Sequence, residues 1–182
     1  MVFAVFFLDI TIYITIFYMK NGTERDKVGN LLIGSYTAKF DRSGRIKIPE
    51  KFRAAIETQY GKELFITSLT DEAVQIYPLP EWQKLAGITN TGLLQLKPKL
   101  RKFLLRVNRT GTHYEIDSKG RVLINQTLRE KAKLEDEVTV IGLNSHLEIW
   151  NTSLLNDSIE QNPLTEEDFE DISELSPEAK GE

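Results

Sequence analysis

The middle of the chain has short stretches in which apolar and polar residues alternate, a pattern typical of half-buried β-strands. Two such stretches, Tyr36 to Phe40 and Arg45 to Ile48, flank a turn built on Ser43 and Gly44. Glycine at such a turn supplies a positive φ without strain, so the segment predicts a β-hairpin. Pro49 then suits the first turn of a short helix, and two further strands follow that helix.

The same pattern returns 76 residues later in the chain. Within the 13 columns that begin at Asp41 and Asp117, five residues are identical in the two copies. The identical pairs are Asp41 and Asp117, Gly44 and Gly120, Arg45 and Arg121, Ile48 and Ile124, and Arg53 and Arg129. In the second copy, Asn125 stands at the Pro49 position and can cap the helix with its side chain. Each copy therefore predicts a strand, a glycine turn, a strand, a short helix and two more strands.

Each copy holds only about 45 residues, which is too few to bury a good hydrophobic core alone. We therefore predict an internal pseudo-dimer in which strands of the two copies interleave. Between the copies, Leu96, Leu100, Leu104 and Val107 recur at helical spacing, so a linking helix should pack this apolar stripe against the body. The predicted fold class is α+β, mainly β, with short helices.

Charge divides the chain into a basic body and an acidic tail. Residues 151–182 carry ten acidic side chains and one lysine, a net charge of −9, whereas residues 1–150 carry 22 basic and 17 acidic side chains, a net charge of +5. Between Trp82 and Tyr114 there are seven basic residues and no acid. The overall net charge of −4 is therefore no argument against nucleic-acid binding.

Few side chains in the sequence suggest catalysis or metal binding. The chain has no cysteine, and its two histidines, His113 and His146, are not at metal-binding spacing. The sequence contains neither a nucleophile elbow nor a phosphate-binding glycine loop. We therefore expect no enzyme activity and no metal, cofactor or small-molecule substrate.

The repeated arginine turns match DNA binding better. Arginine offers a planar fork of donors that fits phosphate and guanine edges, and a two-stranded ribbon is narrow enough to enter the major groove. Arg45 and Arg121 are thus the predicted principal DNA contacts. For one copy alone, the alternative is that the Gly-Arg pair is only part of a solvated hairpin turn. The recurrence of Asp, Gly and Arg in the second copy favours a functional role. The predicted turn-positioning residues are Asp41, Gly44, Asp117 and Gly120, and the further predicted DNA contacts are Arg42, Lys47, Lys51, Arg53, Lys119 and Arg129.

The two ends of the chain differ from its middle. Residues 1–18 are almost wholly apolar but interrupted by Asp9, and a transmembrane helix needs about 20 apolar residues. They are either a membrane anchor or, as we favour, part of a segment 1–30 that arises from a start codon assigned too early. Residues 155–182 are rich in charge and poor in large apolar groups, so this tail is expected to be disordered. The alternative is one helical turn with Phe169, Ile172 and Leu175 that docks on a partner.

Residues 33–150 resemble the MraZ family, bacterial transcriptional regulators built from two swapped-hairpin modules of the SpoVT-AbrB type. The resemblance rests on Gly34 and on five stretches around and between the two turns. These are KFDRSGRIKIPEKFR, YPLPEW, RKFLLRVNRTG, IDSKGRVLINQTLRE and LEIWN. One Asp-x-x-Gly-Arg motif is a weak signal, but two at this separation with YPLPEW between them are a strong one.

The resemblance implies SpoVT-AbrB modules at 33–80 and 111–154 that form an intrachain pseudo-dimeric β-barrel, with a basic helical linker at 81–110. It implies a cytoplasmic, nucleoid-associated regulator, usually a repressor, that acts on the division and cell-wall gene cluster containing its own gene. It also implies a ring of identical subunits that engages tandem promoter repeats in double-stranded DNA. The family's paired Asp and Arg transfer onto Asp41 with Arg45 and onto Asp117 with Arg121. Residues 1–30 and the acidic tail lie outside this resemblance.

The alternative interpretation is a protein-interaction module. In this reading the chain has the same oligomeric fold and is tethered to a membrane through residues 1–18. Specific DNA binding by the two tips separates the first interpretation from the second, and fractionation of the native protein tests the tether.

Overall fold

Eight β-strands and six α-helices make up the part of the chain that the computed structural model describes, which is residues 31–87, 98–135 and 137–174. The strands are β1 (Leu32–Lys39), β2 (Arg45–Lys47), β3 (Glu63–Thr67), β4 (Ala73–Pro78), β5 (Thr112–Glu115), β6 (Arg121–Leu123), β7 (Glu137–Asn144) and β8 (His146–Asn151). The helices are α1 (Glu50–Tyr60), α2 (Leu79–Gly87), α3 (Pro98–Thr110), α4 (Gln126–Lys131), α5 (Thr152–Gln161) and α6 (Glu166–Glu174).

The strands of the two sequence copies are paired with one another. Six strands form an antiparallel sheet in the order β1-β7-β8-β4-β3-β5, and β2 pairs with β6 in a separate two-stranded sheet. Strands β1 to β4 belong to the first copy and β5 to β8 to the second. The first strand of each copy therefore pairs with the third strand of the other, and β4 pairs with β8 across the middle.

The large sheet is open, which corrects the prediction of a closed β-barrel. Among the residues that the structure describes, β1 and β5 are its outer strands, and they do not pair with each other. A β-bridge between Phe40 and Ile46 leads from the end of β1 into β2. Strands β2 and β6 form a separate two-stranded sheet, so they are not part of the large sheet between β1 and β5. The fold is a strand-rich mixture of helix and sheet.

The short helices form where the sequence pattern predicts them. In α1, Phe52 and Ile56 lie on one face and are both buried, as their spacing predicts. Pro49 stands one position outside this helix, at its N-cap. Asn125 caps α4, and its side-chain oxygen accepts a hydrogen bond from the Leu128 backbone N–H at 2.8 Å, which confirms the predicted cap.

One main core lies between the two sheets and the helices, and it draws on both copies. Its members from the first copy include Ile46, Ile48, Phe52, Ile56, Leu64 and Ile76, and those from the second include Val122, Ile124, Leu128, Val138, Leu147 and Ile149. The linking helix α3 begins at Pro98 and packs against a second, smaller cluster. There Val107 is fully buried beside Tyr77 and Trp82, whereas Leu104 is half-buried. Leu96 lies outside the described residues.

Helices occupy part of the tail that the sequence predicts to be disordered. Asn151 caps α5 by accepting hydrogen bonds from the backbone N–H groups of Ser153 and Leu154. A capping box starts α6, because Asp168 and Thr165 bond to each other's backbone N–H groups. These local caps stabilise the first turns of α5 and α6, two helices that the composition of the tail does not predict. Residues 175–182 lie outside the described part of the chain.

The question of a membrane anchor concerns residues 1–18, and these lie outside the described residues, as do all of residues 1–30. None of the helices in the described ranges is long and apolar enough to cross a membrane. The anchor and the early start codon therefore stay predictions.

The interleaved core predicts that equivalent positions of the two copies are comparably important for stability. Phe52 and Leu128 occupy matching positions and are both buried in the same core. We expect Phe52→Ala to lower the free energy of unfolding by about 3–5 kcal/mol and Leu128→Ala by about 2–5 kcal/mol, measured by urea denaturation. The exposed Lys62 provides the control, since Lys62→Ala should change it by less than about 0.5 kcal/mol. A loss below about 1 kcal/mol in either copy would contradict a shared core.

Candidate nucleic-acid interface

The first glycine turn is held by the carboxylate of Asp41. Oδ1 of Asp41 accepts hydrogen bonds from the backbone N–H groups of Ser43 at 2.9 Å and Arg45 at 3.0 Å. The backbone of Asp41 closes the turn by donating to the Arg45 carbonyl at 2.8 Å and accepting from Gly44 at 2.9 Å. Gly44 has a φ of +77°, a conformation that side chains with a Cβ rarely adopt. The turn therefore needs both the Asp and the Gly that the repeat preserves.

The second turn repeats this geometry around Asp117. Its Oδ1 accepts from the N–H groups of Lys119 at 2.8 Å and Arg121 at 2.9 Å, and Gly120 has a φ of +74°. Backbone bonds between Asp117 and both Gly120 and Arg121 close the turn as in the first copy. Asp117 and Gly120 thus make the same contacts in the second turn that Asp41 and Gly44 make in the first.

The two turns lie side by side because β2 and β6 pair between them. Arg45 lies opposite Leu123 and Lys47 lies opposite Arg121, while Ile46 and its partner Val122 are buried. Alternation along the two strands thus puts three basic residues on the outward face of one antiparallel ribbon. Arg45 and Arg121 are half-buried on that face, and Lys47 is exposed.

The two tip arginines are held differently. Arg121 binds Asp117 through Nε at 3.0 Å and Nη2 at 2.9 Å, and its Nη1 reaches Asp41 of the other turn at 3.2 Å. Among the residues that the structure describes, no hydrogen bond or ion pair holds the Arg45 guanidinium. Arg121 thus bridges the two turns, whereas the Arg45 side chain makes no such contact within the described residues.

The two carboxylates of the turns are stabilised in their charged form. Hydrogen bonding from the Arg45 N–H lowers the pKa of Asp41, and the Ser43 N–H and the Arg121 charge lower it further. The pKa of Asp117 is lowered in the same way, first by the N–H of Arg121 and then by its side chain. Backbone donors are the larger cause in both turns, so these carboxylates mainly fix the backbone.

Arg53 and Arg129, both predicted as DNA contacts, lie behind the turns of the opposite copy. The Arg53 side chain passes over Gly120, where a Cβ would come within 2.7 Å of its Cδ, and its guanidinium binds Glu50 and lies 3.8 Å from Glu57. Arg129 passes over Gly44 in the same way, donates from Nε to the Ile124 carbonyl at 3.2 Å and lies 5.7 Å from the Phe40 ring centre. Their contacts are those of residues that support the turns.

The remaining predicted contacts are exposed basic residues around the ribbon. Arg42 and Lys119 lie within the two turns, and Lys51 lies in the first turn of α1. Each of them is exposed, so each can reach a phosphate without leaving a buried partner. The structure therefore brings the predicted residues together in two groups, the outward basic residues and the two supporting arginines.

Both copies of the repeat are matched by one family model, described as "MraZ protein, putative antitoxin-like", over residues 31–90 and 109–174. The chain belongs to the MraZ family. The MraZ match reaches residue 174 and so includes most of the acidic tail. This corrects the expectation that the whole tail lies outside the family resemblance. The match also supports the repeat, because each of its two segments contains one of the copies.

Relatives in the MraZ family are similar to this chain over most of their length. A protein named "Transcriptional regulator MraZ" from Acidobacterium capsulatum is 41% identical over 146 residues, which are 78% of this chain and 97% of the relative. A second protein of that name, from Koribacter versatilis, is 34% identical over 143 residues, with the same coverage. The aligned part thus includes nearly the whole of each relative.

Sequence reasoning missed a polar cluster where β4 meets β8. Glu148 accepts hydrogen bonds from Gln75 at 2.9 Å and from the Trp150 indole at 2.7 Å, and His146 lies 3.8 Å from it. His146 also stacks on Tyr77 at a ring distance of 4.4 Å. In the described residues no group of three His, Cys, Asp or Glu could hold a metal ion. The cluster satisfies polar groups within the sheet, and only the pairing of β4 with β8 reveals it.

The tip carboxylates predict a local acid transition. Because the pKa values of Asp41 and Asp117 are lowered in the folded state, their contribution to stability is complete above the ordinary aspartate pKa of about 3.9 and is lost as the pH falls through the lower folded values. Carboxyl ¹³C shifts should therefore titrate below about pH 3.9 at both residues. In Asp41→Asn, the Asp117 transition should move further downward, since a neighbouring negative charge is removed and Arg121 then pairs with Asp117 alone. Ordinary midpoints at both residues in the wild type would contradict the turn geometry.

Gly120 is predicted to be difficult to replace for two reasons. Its positive φ disfavours any side chain, and a Cβ would collide with Arg53. We expect Gly120→Ala to lower the free energy of unfolding by about 1–3 kcal/mol in urea denaturation, with the conformational term alone near 1–2 kcal/mol. The cost should be smaller in an Arg53→Ala background, because the collision is then absent. Equal costs in the two backgrounds would show that Arg53 does not pack on this turn.

Proposed function

We propose that this chain is a transcriptional regulator that binds double-stranded DNA through the outward face of the β2–β6 ribbon. The observation that carries the proposal is the presence of Arg45, Lys47 and Arg121 on one face of a two-stranded antiparallel ribbon whose other face is buried. A ribbon of this kind fits the major groove, and arginine can read guanine there through two parallel hydrogen bonds. The names of the two relatives support the regulatory role.

Arg45 is the proposed base-reading residue. Its backbone is fixed by Asp41, and no described residue competes for its guanidinium. The fixed backbone lowers the entropy lost on binding, and a guanidinium without an ion pair has none to break when it meets a base. Arg121 lies on the same face, but it must leave two carboxylates before it can contact a base or phosphate. We therefore assign it a double role, as a bridge between the turns and as a DNA contact.

The exposed lysines and Arg42 are proposed to bind phosphates. Arg42, Lys47, Lys51 and Lys119 surround the ribbon and would neutralise backbone charge on either side of the groove. Their contribution should not depend on base sequence and should weaken as salt rises, because counterions are released when phosphates are neutralised. Arg53 and Arg129 would act by supporting the turns, in addition to any phosphate contact.

The remaining part of the proposal concerns assembly and target. The interleaved pairing supports two SpoVT-AbrB swapped-hairpin modules at 33–80 and 111–154, with 81–110 as the basic linker. We propose that copies of the chain form a ring in the cytoplasm, associated with the nucleoid. Several ribbons would then engage tandem repeats in the promoter of a division and cell-wall gene cluster that includes its own gene, chiefly as a repressor. Linking several weak contacts in one ring raises the affinity for repeated sites.

The proposal is tested by titrating the protein on the DNA upstream of its own gene. Arg45→Ala should weaken specific binding by about 1–3 kcal/mol and reduce the preference over random DNA. Lys47→Ala, on the same strand, should weaken both DNAs alike and lower the salt slope by about one. Lys62→Ala is the control, because Lys62 is exposed but lies outside the ribbon. Full binding by Arg45→Ala, or no preference of the wild type over random DNA, would refute the assignment.

A further inference from the structure

The last described helix, α6, has an apolar face that nothing in the described chain covers. Phe169 and Ile172 lie three positions apart on one side of the helix, with 47% and 55% of their surface exposed. Every side chain described from Gln161 to Ser173 is exposed. A helix of nine residues is marginal in water on its own and is normally stabilised by packing its apolar face. The helix therefore needs a partner surface.

A surface with the matching chemistry is present on α3. A shallow groove of about 560 Å³ there is lined by Arg101, Leu104, Leu105, Asn108 and Arg109. Leu105 is 54% exposed, and the two arginines lie one helical turn before and after it on the same side. Neither arginine forms an ion pair with a residue that the structure describes. The groove thus offers an apolar centre between two uncommitted positive charges.

Charge and length both fit α6 to this groove. The helix carries six acidic residues and no basic one, whereas α3 carries five basic residues and no acidic one. Nine helical residues span about 13 Å, and the eight-residue step from Arg101 to Arg109 spans about 12 Å. Placing Phe169 and Ile172 over Leu104 and Leu105 would leave the acids of α6 near the two arginines.

The positions of α3 and α6 in the fold favour a contact between two copies of the chain. Helix α5 packs on β7 and β8, and only residues 162–165 separate it from α6, whereas α3 packs on β3. We infer that α6 of one copy docks into the α3 groove of the next. Because the two surfaces differ, the contact is head-to-tail, and repetition of it generates a ring or a filament. This inference rests on the assembly proposed above and names the surfaces that join the subunits.

The test measures the mass of the full-length chain by light scattering after size-exclusion chromatography. The wild type should have a mass larger than that of one chain and close to a multiple of 20.9 kDa. Arg101→Glu with Arg109→Glu should reduce this mass towards that of one chain. Phe169→Ser with Ile172→Ser should do the same. Glu166→Lys with Asp171→Lys should also reduce it, and combining these changes with the two arginine reversals in one chain should restore the larger mass. The matched control is Lys62→Glu with Lys133→Glu, which alters two exposed lysines outside both helices and outside the ribbon and should leave the mass unchanged.

The outcomes separate this inference from the proposed function. If the Arg101→Glu, Arg109→Glu variant keeps the large mass, the docking inference is overturned, but the proposed assembly is not. A wild type with the mass of a single chain overturns assembly itself. Binding to DNA that carries a single repeat measures DNA contact by the ribbon independently of assembly. This binding should be unchanged in the α3 and α6 variants. Failure of the four-residue charge exchange to restore assembly would also count against the docking inference.

Discussion

Each of the two turns is completed by the other copy of the repeat, and this reciprocal support is the constraint on which the site depends. The Ile48 N–H donates to the Gly120 carbonyl and the Ile124 N–H donates to the Gly44 carbonyl, both at 3.0 Å. Arg53 and Arg129 then pass over the same two glycines. Removing either copy would leave the other turn without its backbone partners and its supporting arginine.

The reciprocity explains which residues the two copies share. The five identical pairs are the Asp and Gly that form each turn, the Arg that follows, the Ile that bonds across and the Arg that covers the opposite glycine. Strands β2 and β6 have only three residues each, too few for an independently stable ribbon. Burial of Ile46 and Val122 beneath them stabilises the pair. Elsewhere, where each copy packs in its own surroundings, the residues differ.

Sequence reasoning was successful where the structure depends on local pattern. The turns, the Asn125 cap and the buried faces of α1 and α4 follow from spacing and residue type, and the structure confirms them. It predicted that the two copies interleave, but not which side chain of one copy meets which part of the other. The alignment gave Arg53 and Arg129 equivalent roles near the tips, but it could not show that each lies behind the turn of the other copy. The capping box at Thr165 and Asp168 was visible in the sequence and would have predicted α6.

The difference between Arg45 and Arg121 is the feature that repeat symmetry could least predict. Identical residues in the two copies suggest identical contacts, yet Arg121 spans both carboxylates. Two aspartates close to the proposed phosphate-binding surface would repel DNA, and the bridging arginine offsets part of that charge. If Arg121 moved to a phosphate, both carboxylates would face the DNA with less compensation. The ion pair therefore opposes DNA contact by Arg121 more than by Arg45, and the two tips are chemically unequal before any DNA arrives.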